Sequence, residues 1–282
     1  MSRLNPWVRL IRFHEYGPIA IVACVLGALL ATTDLDFRLV QLLTYCTAGS
    51  ISAFIINDVA DTLEDRVGSR PRNPLVTGEL SYKSVLALFT TASALSITSL
   101  IGLNMTAFTL GLTALVLAYQ YSIGFRFKDR PPADLLVHGL VPALLVLTSY
   151  TTFNSMSFDV LLLSAMVFIS SCIAELLQEL RDSSVRGSVR YLGIRRSKDL
   201  VLVLSLVGIV LYVVLTASRH RLQPLTIYAL LAYFIIKPVV MFRDDALSAE
   251  ELIRVLRRRV TAVAILVLIT YIFLNFLQHP IT

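Results

Sequence analysis

Charge is what this sequence has least of. Of its 282 residues only 16% are Asp, Glu, Lys or Arg, against 56% hydrophobic, and the mean hydropathy is +0.74. Soluble globular domains carry about 25% charged residues, so a water-soluble fold is excluded. Breakers are scarce too: Pro and Gly number 10 and 12 and rarely interrupt an apolar run. The runs do not alternate polar with apolar, which excludes a transmembrane strand barrel. Cysteine is confined to Cys24, Cys46 and Cys172, all inside apolar runs and without disulfide or metal-ligand spacing; these read as small buried hydrophobes. The basic N-terminus, MSRLNPWVRLIRFHEYG, lacks a small-residue cleavage site, so the first apolar run is expected to remain as a span.

What is present is a series of continuous apolar runs of about 17–25 residues, the length that crosses a bilayer core as helix. Nine are expected, near 17–33, 38–60, 82–102, 105–122, 134–152, 158–180, 199–217, 222–242 and 260–278. The expected fold class is therefore all-α: a polytopic integral membrane protein of the cell or inner membrane, forming one domain over 1–282. Of the 25 Lys and Arg, 21 fall in the N-terminal segment and in the loops after spans 2, 4, 6 and 8, or at their edges. Only Arg38, Arg219 and Arg221 fall on the other side, and Lys237 lies within span 8. Basic residues collect in cytoplasmic loops, which places the N-terminus inside and the C-terminus outside. The same rule explains the net charge of +6 without any nucleic-acid partner.

Topology needs the bases but not the acids beside them. Asn57, Asp61 and Asp65 stand at i, i+4 and i+8, one helical stripe drifting about 40° per step, with Asp58 about 100° away. They follow directly on SISAFII. A solvated helix end is the plainer reading, but acids at or below the membrane interface are rare and functional. Oxygen donors about 6 Å apart suit Mg²⁺, which takes one or two carboxylates and leaves its other positions to water and phosphate. A second stripe ends span 6, with Glu175, Glu179 and Asp182 at i, i+4 and i+7 and Arg186 continuing it. Two such stripes on one side of the membrane imply a shared polar cavity that opens to the cytoplasm. Arg70, Arg72 and Asn73, then Tyr121, Arg126, Lys128 and Arg130, then Arg181 and Arg190 stand around them. Carboxylates, Mg²⁺ and a basic rim together would hold a diphosphate, and a hydrocarbon tail on it would explain a site inside a membrane. Arg195, Arg196 and Lys198 read as topology signals. In RDDALSAEELIRVLRRRV, Ser248 and Glu251 read as a capping box, with Arg257, Arg258 and Arg259 anchoring the last span.

NDVADTLED, at 57–65, resembles the N-D-x-x-D-x-x-x-D signature of the UbiA superfamily of intramembrane prenyltransferases. RPRNPLVTGELS, YSIGFRFKDRPPAD and QELRDSSVRGSVRYLGIRRS resemble its other three segments, and the nine-helix count agrees. The resemblance implies nine helices around a central cavity and Mg²⁺-dependent transfer of a prenyl group from an allylic diphosphate, such as geranyl or geranylgeranyl diphosphate, to a lipophilic acceptor. It implies Asn57, Asp58, Asp61, Asp65, Glu175, Glu179 and Asp182 as metal ligands. Asn57, Arg72, Asn73, Lys128, Arg181 and Arg186 would bind the diphosphate. Asp61, Asp65 and Asp182 would be catalytic, with Tyr121 near the reacting carbon. Aromatic acids, quinone precursors, glycerol phosphate ethers, porphyrins and carotenoids all serve as acceptors in the family. Two departures stand out. Asn73 occupies the usual place of an Arg, and Arg186 stands near that of a later Asp. The proton-accepting base is unassigned, an acid of the second stripe being one choice. A terpene cyclase of the same superfamily and a cation-coupled transporter are the alternatives. A transporter is expected to show an internal repeat and helices broken at mid-bilayer, whereas here the acids sit at span ends.

Overall fold

Every regular element among the described residues is helical. The computed structural model describes residues 5–32, 36–67, 73–181, 187–218, 236–256 and 258. In order these form α1 (Pro6–Ile11), α2 (Phe13–Ala31), α3 (Phe37–Ala60), α4 (Thr62–Val67), α5 (Tyr82–Leu100), α6 (Met105–Ser122), a 3-10 turn (Phe127–Asp129), α7 (Ala133–Phe153), α8 (Phe158–Arg181), α9 (Gly187–Leu192) and α10 (Ile194–Ser218). Two further helices, α11 and α12, span 236–243 and 249–256. Three of the apolar helices start on polar caps. Asp36, Ser81 and Asn104 accept the backbone N–H of Arg38, Ser84 and Ala107, opening α3, α5 and α6. Each satisfies a donor that the first helical turn leaves without a partner.

Among the described residues, five helices are long and apolar enough to cross a membrane: α3, α5, α7, α8 and Ile194–Leu215 of α10. The expected spans at 17–33, 38–60, 82–102, 105–122, 134–152, 158–180 and 199–217 fall on α2, α3, α5, α6, α7, α8 and α10. The spans expected at 222–242 and 260–278 lie, over most or all of their length, outside the described residues.

The chain forms two compact units. The first is Met1–Cys172 with Arg186–Ser188. Within it α2 packs on α3 and α7, α3 on α5, and α6 on α7. Its core gathers Cys24 from α2, Leu42, Tyr45 and Cys46 from α3, and Val146 and Tyr150 from α7. Between apolar helices the aqueous hydrophobic drive is absent, and small residues that let backbones approach take its place. A Cβ on Gly27 would stand 2.4 Å from the Val146 carbonyl oxygen, so α2 and α7 meet backbone to backbone. Hydrogen bonds between helices add to this. The Tyr45 hydroxyl donates to the Gly111 carbonyl at 2.8 Å, and the Tyr119 hydroxyl stands 2.8 Å from both Ser52 and Ser93. A separate cluster of Leu10, Ile55, Leu75 and Val85 fastens α1 and the 73–80 loop to the ends of α3 and α5.

The second unit is Ile173–Val185 with Val189–Thr282. Lys198 of α10 pairs with Asp245 and lies 4.8 Å over the Phe242 ring. Arg243 Nε donates to Asp199 at 2.7 Å. Ser248 and Glu251 form the expected capping box: the Ser248 N–H donates to Glu251 at 2.8 Å and the Glu251 N–H donates back to Ser248 Oγ at 3.3 Å. These residues border a cavity of about 450 Å³ between α10 and the 244–249 turn.

Candidate functional site

The acidic motif stands where α3 stops. Asp61 is the C-cap of α3, at φ −90° and ψ 0°, and α4 begins at the next residue. The helix is interrupted there, yet the one-turn register survives. Asp61 N–H donates to Asn57 O at 2.9 Å, and Asp65 N–H donates to Asp61 O at 2.8 Å. Asn57, Asp61 and Asp65 therefore still follow one another around the same axis, as their spacing predicts.

Two segments bring three cations to this end. From the 3-10 turn, Lys128 Nζ donates to Asn57 Oδ1 at 3.2 Å and forms an ion pair with Asp61. From the same loop, the Arg126 guanidinium lies 3.0 Å from Glu64 and 3.9 Å from Asp61. The hydrogen bond from its Nε to Asp129, at 2.7 Å, is the chief cause that holds its pKa above the usual value. From the junction of α1 and α2, Arg12 donates to Asp58 Oδ1 at 2.6 Å. Asp58 is only 1% exposed, and its Oδ2 is buried without a hydrogen-bond partner. The ion-pair partner of Asp58 is thus Arg12, whereas that of Asp61 is Lys128.

Two neutral side chains hold the acids in place. Ser122, buried at the end of α6, donates to Asn57 Oδ1 at 2.8 Å. Asn73 donates from Nδ2 to the Asp58 carbonyl at 2.8 Å and to Asp65 Oδ2 at 3.1 Å, while its Oδ1 accepts the Leu75 N–H at 3.0 Å. Both ends of the Asn73 amide are thus bonded to the chain. Next to Ser122, the half-buried Tyr121 lies with its ring centroid 6.2 Å from that of His138. Asp134, fully buried at the start of α7, has both carboxylate oxygens bonded by Ser188, at 2.6 and 2.7 Å.

The structure therefore brings Asn57, Asp58, Asp61, Asp65, Asn73 and Lys128 to one end of α3, with Tyr121 on the residue before Ser122. In the second unit, the buried Glu179 accepts the Val189 N–H at 2.8 Å, Glu175 is half-buried and Arg181 is exposed. Arg72, Asp182 and Arg186 lie outside the described residues. Sequence reading passed over Arg12 and Ser122. Nothing local marks Arg12, which stands 46 residues from Asp58. Ser122 had only its place beside Tyr121.

The donors are one amide oxygen and several carboxylates, with no nitrogen or sulfur ligand, which is the chemistry of a hard divalent cation. Among the described residues no three His, Cys, Asp or Glu converge on a metal position. Mg²⁺ does not need three, because water and phosphate complete its shell. The unpartnered Asp58 Oδ2 leaves buried acceptor capacity at the same end of α3. The residues present fit such an ion.

The model of the UbiA prenyltransferase family matches residues 20–255. Among solved structures, a UbiA homolog from Archaeoglobus fulgidus bound to GPP and Mg²⁺ is similar at 20% identity, covering 85% of this chain and 86% of that one, with a TM-score of 0.69. A structure described for digeranylgeranylglyceryl phosphate synthase in membranes is similar at 16% identity, covering 90% and 92%, with a TM-score of 0.70. The apo form of a UbiA homolog from Aeropyrum pernix K1 is similar at 20% identity, covering 81% and 86%, with a TM-score of 0.62. These three likenesses concern the fold. Comparison with curated proteins gives no match.

Proposed function

The chain belongs to the UbiA prenyltransferase family, and on that premise we propose that it moves a prenyl group from an allylic diphosphate to a lipophilic acceptor within the membrane, releasing diphosphate. The observation that carries this reading is the cluster of Asn57, Asp61 and Lys128 at the end of an apolar, membrane-length helix. A carboxylate and an amide oxygen backed by a tethered ammonium match a charged head on a hydrocarbon tail. The Archaeoglobus homolog with GPP and Mg²⁺ supports the same ligand classes here.

In this reading Asn57, Asp61 and Asp65 would hold Mg²⁺, with Asp58 beside them. Magnesium, when bound, supplies positive charge for the departing diphosphate. Lys128 moves its ammonium from Asp61 to phosphate oxygens, and Arg126 adds charge at the rim. The allylic C–O bond breaks with both electrons on the diphosphate oxygen. The aromatic face of Tyr121 meets the developing cation, and the apolar helices exclude the water that would quench it. Glu175, Glu179 and Asp182 as further ligands, and Arg72, Asn73, Arg181 and Arg186 as diphosphate contacts, are proposed from the sequence motifs. So are nine helices around a cavity open to the cytoplasm, a single domain over 1–282, an inside N-terminus and an outside C-terminus.

The test is to incubate purified protein with Mg²⁺ and labelled prenyl diphosphates of several lengths, with and without a lipid extract. A prenylated lipid whose mass exceeds that of its parent by the prenyl group supports the reading and gives the acceptor. No Mg²⁺-dependent consumption of any diphosphate would sink it. A cyclic hydrocarbon formed without extract would replace it with a cyclase.

A further inference from the structure

The sequence assigns Lys198, with Arg195 and Arg196, to topology alone. A topology charge needs only to reach water, and both arginines are exposed. Lys198 is not. It is 9% exposed and lines the cavity of about 450 Å³ between α10 and the 244–249 turn. That volume falls within the range of small-ligand pockets, about 300–1,000 Å³. The cavity lies at the first turns of Ile194–Leu215, the stretch of α10 long and apolar enough to cross a membrane. It is therefore at the depth where lipid headgroups meet water.

The lining is charged in both signs. Lys198 Nζ donates to Asp245 and lies 4.8 Å over the Phe242 ring. An ammonium has three donors and the ion pair uses one, so a donor remains for an acceptor brought into the cavity. Asp245 is placed by the backbone. The turn after α11 closes with the Asp245 N–H on the Phe242 carbonyl at 3.2 Å and the Ala246 N–H on the Met241 carbonyl at 2.8 Å, and Asp245 is left-handed at φ 61°. Glycine is the usual residue at such a helix end; an Asp there adds a carboxylate, with a side chain 86% exposed. Glu251 supplies a second carboxylate. Ser248 N–H and Oγ both donate to its Oε2 at 2.8 Å, and among the described residues its Oε1 accepts no hydrogen bond.

This set of charges selects a ligand. A plain anion would gain one ammonium, already paired, and face two carboxylates. A plain cation would face the ammonium. A molecule carrying both an anionic group and an ammonium satisfies both signs. Its ammonium must be primary, because a quaternary one donates no hydrogen bond and is recognised by aromatic faces. Phe242 is the one aromatic among the described lining residues, and Lys198 already lies over its ring. We propose that the cavity binds a phosphate joined to a primary ammonium, as in the head of an ethanolamine phospholipid or the free phosphorylated amine. The phosphate meets Lys198 and the ammonium meets Asp245 and Glu251. The site is independent of the prenyl-transfer reading.

The test uses the full chain, delipidated in detergent. Native mass spectrometry measures its affinity for phosphatidylethanolamine, phosphatidylcholine and phosphatidylglycerol of matched acyl chains. One phosphatidylethanolamine should bind per chain at least about tenfold more tightly than either other lipid, the factor that one charge-assisted hydrogen bond gives. Asp245→Asn tolerates the left-handed turn but has no charge, and should erase the preference over phosphatidylcholine. Ala246→Phe places a ring in the cavity without altering a charge. It should weaken phosphatidylethanolamine binding by a similar factor, and it covers the case in which Asp245→Asn fails to fold. Arg196→Ala, the control for unspecific surface charge, should leave the affinity unchanged. Added O-phosphoethanolamine separates the two sources: displacement of the lipid only at large excess supports a membrane ligand, and displacement at equal concentration supports the free compound. Equal affinity for the three lipids overturns the proposal, as does wild-type binding in either folded variant or an equal loss in Arg196→Ala.

Discussion

Lys128 and Asn73 illustrate two kinds of residue around the same acids. Lys128, with its side chain 11% exposed, is the cation paired with Asp61 and bonded to Asn57. Lys128→Ala should lower kcat/KM at least about tenfold, because a hydrogen bond to a charged group is worth roughly 1.5–3 kcal/mol. Arg196→Ala is the control and should leave steady-state kinetics unchanged. Asp61→Ala or Asp65→Ala should abolish turnover while expression stays normal; near-normal rates at saturating substrate would refute the ligand assignment. Asn73 sits where the sequence motif suggested a diphosphate contact, but its amide joins Asp58 to Asp65. Asn73→Ala strips partners from buried oxygens and should destabilise the chain by about 1–3 kcal/mol, read as a lowered melting temperature. The stripe of Asn57, Asp61 and Asp65 was legible in the sequence because helical spacing is local information. The partners that fix it were not. Ser122 reaches Asn57 across 65 residues and Arg12 reaches Asp58 across 46, and no periodicity encodes a contact of that range.

At the scale of elements, the apolar helices were legible to within a few residues, because length and hydropathy specify them and polar caps mark the starts of α3, α5 and α6. The interruption at Asp61 was hidden, since the i, i+4 register runs through it unbroken. The short helix α1 was hidden as well: it is too brief for a periodic signal and is held by Leu10 in the cluster with Ile55, Leu75 and Val85. It ends on Arg12, in a left-handed conformation at φ 46°, and this residue compensates Asp58. Removing one partner of a buried ion pair costs about 3–5 kcal/mol; with Arg12 partly exposed, Arg12→Ala should sit near the lower end, about 3 kcal/mol. Adding Asp58→Asn should recover part of it, and the absence of any recovery would show that Arg12 acts only through packing. In α12, the backbone N–H of Ser248 is the first cause that lowers the Glu251 pKa. A carboxyl lowered in the folded state adds stability above its unfolded pKa and loses it as pH falls through the folded value. Amide protection in 249–256 should therefore decline in acid, and Glu251→Gln should flatten that decline.

Across the whole molecule, the distribution of basic residues makes a statement about sidedness that labelling can check. Cys24, Cys46 and Cys172 are all buried, so an introduced thiol reports against a quiet background. Ser155→Cys should react with an impermeant maleimide in intact cells, and Arg130→Cys only after the membrane is opened. The reverse pattern would invert the assigned topology. The pairing of Lys128 with Asp61 and Asn57 has a consequence for the unloaded chain. The counter-ion of this acidic end is attached to the chain by its own side chain. It cannot diffuse away, and its local concentration is unaffected by dilution or by a chelator. On the proposed ligand assignment, loading the site would be an ion exchange in which a resident ammonium yields its place, rather than the filling of an empty negative hole. Treatment with EDTA should stop turnover yet leave the melting temperature where it was, so that folding and metal supply are independent of one another.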